Sequence, residues 1–201
     1  MVYVEYISRR PGIELADFHR VVKQVQRHWE SSHSDDQLIL NAGRTWRLGP
    51  EPEYLGVWYS PQSGFDRLDE WETAFRNRGE VSDEQTMSRV ARIVFAGCYE
   101  ALREPIRARD GIYYVERFHP AGLPEAIRSF YEERTRGFSS FTLNLLIQRI
   151  GRLGPDPGGL AVWTLPSFAA LAEIATQLDA THEPVELVGA GLYVDIGQEI
   201  L

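Results

Sequence analysis

The sequence has few of the features that would assign it to a secreted, membrane or redox class. Its single cysteine, Cys98, excludes an internal disulfide, and its first residues lack the basic-then-apolar order of a secretion signal. We therefore expect a reducing, cytoplasmic setting. No apolar run approaches the roughly 18 residues that cross a bilayer, so no membrane partner is expected.

Basic charge is also scarce. The 201 residues include 21 Lys and Arg against 29 Asp and Glu, a net charge of −8, and no basic cluster stands out. Such a surface repels a phosphate backbone, so we expect no nucleic-acid partner. The phosphate-loop motifs and the G-x-S-x-G nucleophile motif are absent. His28 and His33 are five residues apart, which does not suit a metal pair, so no metal site is predicted.

What the sequence does contain is an internal repeat. Tyr-Val-Glu at 3–5 recurs at 114–116, and Arg-Leu-Gly-Pro followed by an acidic residue and Pro at 47–52 recurs at 152–157. The spacing between matched blocks shrinks from 111 to 105 and then to 94 residues along the chain, and the changes fall between blocks, where loops tolerate insertion. The pattern indicates a tandem duplication.

Each half has the same order of elements. Predicted strands span 2–7, 38–46, 54–59 and 91–99 in the first half and 112–118, 141–150, 160–165 and 185–194 in the second. Apolar residues three and four apart from Leu15 to Trp29 predict the first helix, and Pro124 begins its counterpart. Further helices are predicted at 65–75 and 168–178, with an extra one at 82–89.

The order βαββαβ predicts a four-stranded antiparallel sheet with both helices on one face. The predicted class is therefore α+β, with two tandem ferredoxin-like repeats at 1–100 and 112–201, joined by a linker at 101–111. The two sheets are expected to pack into one pseudo-twofold barrel with the helices outside. A chain that carries both halves is expected to be a monomer or a weak homodimer.

This pattern resembles the dimeric α+β barrel superfamily, which includes NIPSNAP-like proteins and antibiotic-biosynthesis monooxygenases. The likeness is carried by an aromatic first strand, Leu-Gly-Pro turns at 48–50 and 153–155, a strand ending in Val-Trp, and the Ser-Phe helix start at 167–168. It implies a barrel that encloses a small-molecule site. Members differ in their reactions, so the resemblance implies no particular chemistry.

Strand alternation predicts which side chains line the barrel. If Val4 and Val115 face the helices, Glu5 and Glu116 point into the lumen. A carboxyl group among aromatic rings has a raised pKa and suits a general base near neutral pH, while arginine stabilises an anion. The candidate catalytic residues are Glu5, Glu116, His119, Arg44 and Arg149, and the candidate substrate-binding residues are Tyr3, Tyr114, Trp46, Trp58 and Trp163.

Structural roles remain open for the same residues. Glu5 with Arg44, and Glu116 with Arg149, can be ion pairs that maintain the fold, and the tryptophans can be core residues. A single active site must break the symmetry of the two halves. His119 does so, because the equivalent position in the first half is Ser8.

Two functions follow as hypotheses. The preferred one is a cofactor-independent enzyme that takes a proton from a small apolar or aromatic metabolite in the lumen, leading to oxygenation, isomerisation or cyclisation, with neither cofactor nor metal. The alternative is a non-catalytic protein that binds a small molecule or a partner. A smaller branch is haem binding through His119 or His182, since some related barrels bind haem.

Overall fold

The computed structural model describes residues 1–32, 35–45, 53–62, 65–76, 83–108, 111–175 and 184–196. The first half contains β1 (Val2–Arg9), α1 (Leu15–Ser32), β2 (Gln37–Arg44), β3 (Tyr54–Tyr59), α2 (Asp66–Arg76), α3 (Asp83–Val90) and β4 (Ala91–Ala101). The second contains β5 (Ile112–Pro120), α4 (Pro124–Arg136), β6 (Thr142–Arg149), β7 (Gly159–Leu165), α5 (Leu171–Ala175) and β8 (Val185–Asp195). The helix predicted at 168–178 begins as a 3-10 turn at Phe168–Ala170, and its last predicted residues lie outside the described part.

The eight strands form a closed antiparallel barrel in the order β1-β3-β2-β8-β5-β7-β6-β4. The α+β class is therefore confirmed. Pairing of β2 with β8 and of β4 with β6 joins the two halves. No helix in the described ranges is both long and apolar enough to cross a membrane.

The two halves share their irregularities of pairing. The register of β1 against β4 shifts between Tyr6 and Ile7, and that of β5 against β8 shifts between Arg117 and Phe118, at the equivalent point of the repeat. The shift between Leu38 and Leu40 on β2 likewise recurs between Leu143 and Leu145 on β6. β-Bulges fix register, so the halves have matching pairing as well as matching element order.

The lumen is filled with side chains. One buried cluster takes residues from all eight strands and none from a helix, so it lies inside the barrel. Its members include Val2, Val4, Tyr6, Leu40, Leu55, Val57, Tyr99, Tyr113, Val115, Leu145, Ile147, Leu160, Val162 and Tyr193. The hydroxyls of Tyr6 and Tyr99 share a hydrogen bond of 3.2 Å within it. The lumen is a packed core.

Chain segments cover both mouths of the barrel. At one mouth residues 102–108, which we name the crossing segment, run from β4 past β6 to β2: the Ile106 amide donates to Asn144, and the Ala108 amide donates to Ile39. Ala108 also packs into the lumen cluster. At the other mouth the turn after β6 lies over β4, where the Cys98 amide donates to the Leu153 carbonyl.

The predicted facing of the strands is wrong. Val4 and Val115 point into the lumen, whereas Tyr114 and Trp163 lie in a second core between the sheet and α4. Tyr3 and Glu5 alternate with Val2 and Val4 and so occupy the corresponding outer face of the first half. The physical reason is that alternation fixes which residues share a face but not which face points inward, and both faces carry apolar and aromatic residues: the lumen itself takes four tyrosines, Tyr6, Tyr99, Tyr113 and Tyr193.

Candidate functional site

Glu116 lies in a buried ion pair beneath α4. Its Oε2 accepts a hydrogen bond from Arg134 Nη1 at 2.6 Å, and the two side chains are only 1% and 8% exposed. The Arg134 guanidinium also lies 5.5 Å from the ring centre of Trp163. The pairing of Glu116 with Arg149 expected from the sequence is therefore wrong. Arg134 follows the buried residues Ile127 and Tyr131 of α4 at helical spacing, four and then three residues along. This spacing places Arg134 on the buried face of the helix and could have predicted its contact with the sheet.

Two tyrosines complete this buried cluster. Burial, followed by the charge of Glu116, raises the pKa of both Tyr114 and Tyr131, so both hydroxyls stay protonated. Trp163 is fully buried and donates from its indole to Thr135 Oγ1 at 2.9 Å. Every one of these groups is packed under α4, which makes this half a poor site for an incoming substrate.

Glu5 occupies the equivalent position of the first half but has different surroundings. It lies between Gly56 on β3 and Ala96 on β4, and a methyl group added at Gly56 would lie 3.2 Å from Glu5 Oε2. The side chain keeps part of its surface exposed. Burial of the carboxyl raises its pKa to about 7, against a smaller opposing effect of the hydrogen bond with Trp58. Glu5 is therefore a partly exposed residue whose buried carboxyl group titrates near neutral pH.

Aromatic rings flank Glu5 on one side. Tyr3 and Trp58 are directly opposite each other on β1 and β3. Trp29 of α1 reaches the same region, with its ring centre 5.9 Å from that of Trp58. The walls of the site are thus apolar, and the Trp58 indole supplies a hydrogen-bond donor beside the carboxyl group.

The predicted arginines lie elsewhere. Arg149 Nη1 donates to the Gly154 carbonyl at 2.9 Å and pairs with Asp156 at 2.8 Å, so it supports the turn after β6. Arg44, at the end of β2, is opposite Tyr193 of β8, the same pairing that Arg149 makes with Tyr99 of β4. Neither arginine forms a described ion pair with Glu5 or Glu116.

The remaining predicted residues are separated from both carboxyl groups. His119 is near the end of β5, opposite Glu186 of β8, and it alternates with Phe118, which packs beneath α4. The structure therefore places His119 and Glu116 on opposite faces. Trp46 and His182 lie outside the described residues.

A cavity of about 470 Å³ lies on the outer face of the first half, between α1, β2, the crossing segment and the end of β8. The residues around it are Lys23, Gln26, Arg27, Leu38, Ile39, Leu40, Asn41, Arg107, Ala108, Asp195 and Ile196. None of them was predicted as a site residue, because the cavity depends on how far α1 extends over the sheet.

No family model and no curated protein match this chain. Solved structures do. A haem-binding protein from Thermus thermophilus aligns over 98% of this chain and 91% of its own, with a TM-score of 0.58 and 11% identity. A variant chlorite dismutase from Candidatus Nitrospira defluvii in complex with cyanide aligns over 97% and 91%, with a TM-score of 0.56 and 9% identity. A dye-decolorizing peroxidase from Bacteroides thetaiotaomicron aligns over 98% and 93%, with a TM-score of 0.54 and 8% identity.

At these identities the likeness shows the fold alone. It supports a ferredoxin-like α+β fold, and it does not confirm the resemblance to NIPSNAP-like and monooxygenase proteins.

The description of one neighbour as haem-binding raises the question of whether the residues here fit that group. Haem iron needs an axial side chain such as histidine, cysteinate, methionine or tyrosinate. No such side chain lines the 470 Å³ cavity. Beneath α4, the space is taken by Phe118, Tyr131 and Trp163, each fully buried. Within the described residues, neither place fits a haem.

The described histidines do not change this result. His19 packs its ring against Phe18 and Tyr54, and burial, followed by the charges of Lys23 and Arg9, lowers its pKa. His28 lies exposed on α1, and His119 is near the end of β5. None of the three lines the 470 Å³ cavity.

Proposed function

We propose that this protein is a cofactor-independent enzyme that removes a proton from a small apolar or aromatic molecule, with Glu5 as the base. The single observation that carries the proposal is the contrast between two equivalent carboxyl groups. Glu116 is buried and paired with Arg134, whereas residue Glu5 keeps part of its surface exposed. The site lies on the outer face of the first half, since the lumen predicted from the sequence is filled.

The chemistry follows from the surroundings of Glu5. As the carboxylate, it accepts a proton from a C–H bond that an adjacent carbonyl group acidifies, and it returns the proton to another carbon of the same molecule. This isomerisation balances without a further reactant, whereas oxygenation also consumes dioxygen. The Trp58 indole N–H donates to the Glu5 carboxyl group and orients the base, and Tyr3 with Trp29 supplies apolar walls.

The other predicted residues take structural roles in this proposal. Glu116 and Arg134 stabilise the second half, and Arg149 supports a turn. We also infer that the two halves descend from a tandem duplication with boundaries near 100 and 112, supported by their shared bulges. After duplication, one carboxyl group kept access to the surface and the other acquired an arginine.

A non-catalytic small-molecule-binding protein is the second candidate: a haem-binding protein shares the fold, although neither place tested in the described residues fits a haem. Haem added to the purified protein tests this branch directly. A Soret shift that is lost in His119→Ala or His182→Ala would establish haem binding, and an unchanged Soret band would exclude haem as the ligand.

Proton abstraction is tested without knowledge of the natural substrate. Small aromatic ketones such as 2-indanone and 2-tetralone are incubated with the protein in D₂O, and NMR follows exchange of their acidic C–H protons. We expect exchange above the buffer rate, rising through pH 7, and a loss of about a hundredfold or more in Glu5→Gln.

Glu116→Gln is the matched control, used at a temperature at which it remains folded. It should keep the exchange activity, because Glu116 is sealed from solvent. Equal rates for the wild type and Glu5→Gln, or no exchange with any ketone tested, would overturn the assignment of Glu5 as the base.

A further inference from the structure

The cavity beside α1 exists because the two halves are covered differently. Ile196 follows β8 and its amide donates to the Asn41 carbonyl, just as Leu102 follows β4 and its amide donates to Leu146. Asn41 and Leu146 therefore occupy equivalent places on the barrel. The same patch of sheet can be compared in both halves.

In the second half this patch is covered by aromatic rings. Phe138 and Phe141, from the segment between α4 and β6, stack with ring centres 4.3 Å apart. They belong to the same buried cluster as Leu102 and Leu146.

In the first half the patch remains open and is polar. α1 packs towards β1 and β3 through Phe18 and Val22, which contact the cluster containing Ile7 and Tyr54. On its other side α1 presents Lys23, Gln26 and Arg27 to the cavity. The Asn41 side-chain amide donates to Gln26 Oε1 at 3.1 Å across it. A volume of about 470 Å³ is within the range of small-molecule sites.

The side chains around the cavity carry more positive than negative charge, whereas the whole chain is negatively charged. Three cations, Lys23, Arg27 and Arg107, border the cavity with one carboxylate, Asp195, although the protein carries a net charge of −8. Arg107 is anchored to Glu30 of α1 at 2.7 Å, which fixes the crossing segment beside the helix. Leu38 and Ile196 give the cavity apolar surface.

We propose that this cavity binds a small organic anion, a carboxylate or phosphate head on an apolar body. The cationic side chains of α1 and the crossing segment face the head, and Leu38 and Ile196 face the body. The site is two strands away from Glu5 in the sheet, and none of its lining residues contacts that carboxyl group. The proposal therefore stands independently of proton-transfer activity.

The test uses the fluorescent anion 8-anilinonaphthalene-1-sulfonate and its displacement by decanoate, decyl phosphate, decanol and inorganic phosphate. We expect saturable binding of the dye that weakens as salt is added, with displacement by decanoate or decyl phosphate. The more effective of these two identifies the head group. Decanol, which lacks the charge, and inorganic phosphate, which lacks the body, should each displace the dye at least tenfold less effectively.

Two variants and one control separate this cavity from other apolar surface. Lys23→Gln/Arg27→Gln should weaken dye binding at least tenfold by removing the charge. Asn41→Leu, which installs the residue of the second half, should weaken it by filling the space. Arg20→Gln on the same helix should have no effect, because Arg20 is exposed and paired with Asp17.

The result that would overturn the proposal is equally specific. Dye binding that is the same in Arg20→Gln and Lys23→Gln/Arg27→Gln would place the dye elsewhere. Displacement by decanol as effective as by decanoate would show that the charge contributes nothing. Either outcome excludes an anion site in this cavity.

Discussion

Glu116 and Arg134 form a buried ion pair that joins the central strand of the second sheet to α4, with 2.6 Å between Oε2 and Nη1. A buried charge without its partner is costly, because neither water nor a counter-ion solvates it. The pair therefore restricts which substitutions the second half tolerates, and it accounts for a duplicated carboxyl group that has no access to a substrate.

Replacing one partner of this ion pair should destabilise the fold far more than replacing both. Arg134→Met leaves Glu116 buried and unpaired, and we expect the free energy of unfolding to fall by about 3 to 5 kcal/mol. Glu116→Gln/Arg134→Met should recover a large part of that loss, because no charge remains buried. Urea unfolding at pH 7 measures both. Arg128→Met, an exposed change on the same helix, should stay within about 0.5 kcal/mol of the wild type.

Glu5→Gln should change the pH dependence of stability. The pKa of Glu5 rises from an ordinary 4.5 to about 7 on folding, so the folded state binds more protons between these values. The stability that the protonated Glu5 carboxyl group contributes to the folded state is fully present below pH 4.5 and is lost as the pH rises through 7. At pH 8 we expect Glu5→Gln to be more stable than the wild type by about 2 kcal/mol, discounted for partial exposure.

The two proteins should converge at pH 4, where Glu5 is protonated in both states. Urea unfolding at pH 4 and pH 8 gives the difference, and Glu125→Gln, at an exposed position of α4, provides the baseline. A difference between Glu5→Gln and the wild type that does not change with pH would show that the carboxyl group has an ordinary pKa.

The order and type of the elements could be predicted from the sequence, since the repeat gave two independent readings of each strand and helix. The facing of the strands could not. Alternation separates Val4 from Glu5 but does not say which of the two points inward. Both the lumen and the space beneath the helices are filled with buried apolar side chains, so hydrophobicity does not decide which face points inward.

The contacts of the site depend on tertiary geometry in the same way. Glu5 and Glu116 were predicted as equivalent candidates, and they differ because an arginine lies over only one of them. Arg134 is on a helix whose alignment with α1 has few identical residues to fix it. The cavity beside Lys23 depends on the tilt of α1 over the barrel, which local spacing does not encode.

Because the lumen is filled, shortening a side chain within it should strongly lower the free energy of unfolding. Leu145 is 1% exposed within the lumen cluster, so Leu145→Ala should lower the free energy of unfolding by about 2 to 5 kcal/mol through lost burial and a new cavity. Leu123→Ala, at a side chain that is 73% exposed, should change it by less than about 0.5 kcal/mol. Similar effects of the two changes in thermal or urea unfolding would contradict a packed lumen.

Gly97 sets how closely the turn after β6 approaches β4. A methyl group at Gly97 would lie 2.9 Å from the Gly154 Cα, so one of the two backbones would have to shift. We expect Gly97→Ala to lift the turn, destabilise the fold by about 1 to 3 kcal/mol and speed hydrogen exchange of the Cys98 amide, which donates to Leu153. The Leu102 amide, which follows β4 and donates to Leu146, is the internal reference.

Gly158→Ala is the matched control in the same turn, because its added methyl group would meet nothing closer than 3.6 Å. Exchange at Cys98 should accelerate more than at Leu102 in Gly97→Ala and equally little at both in Gly158→Ala. If the two amides lose protection equally in Gly97→Ala, the substitution acts on the whole barrel, and the close approach of Gly97 to Gly154 does not hold the turn over the mouth.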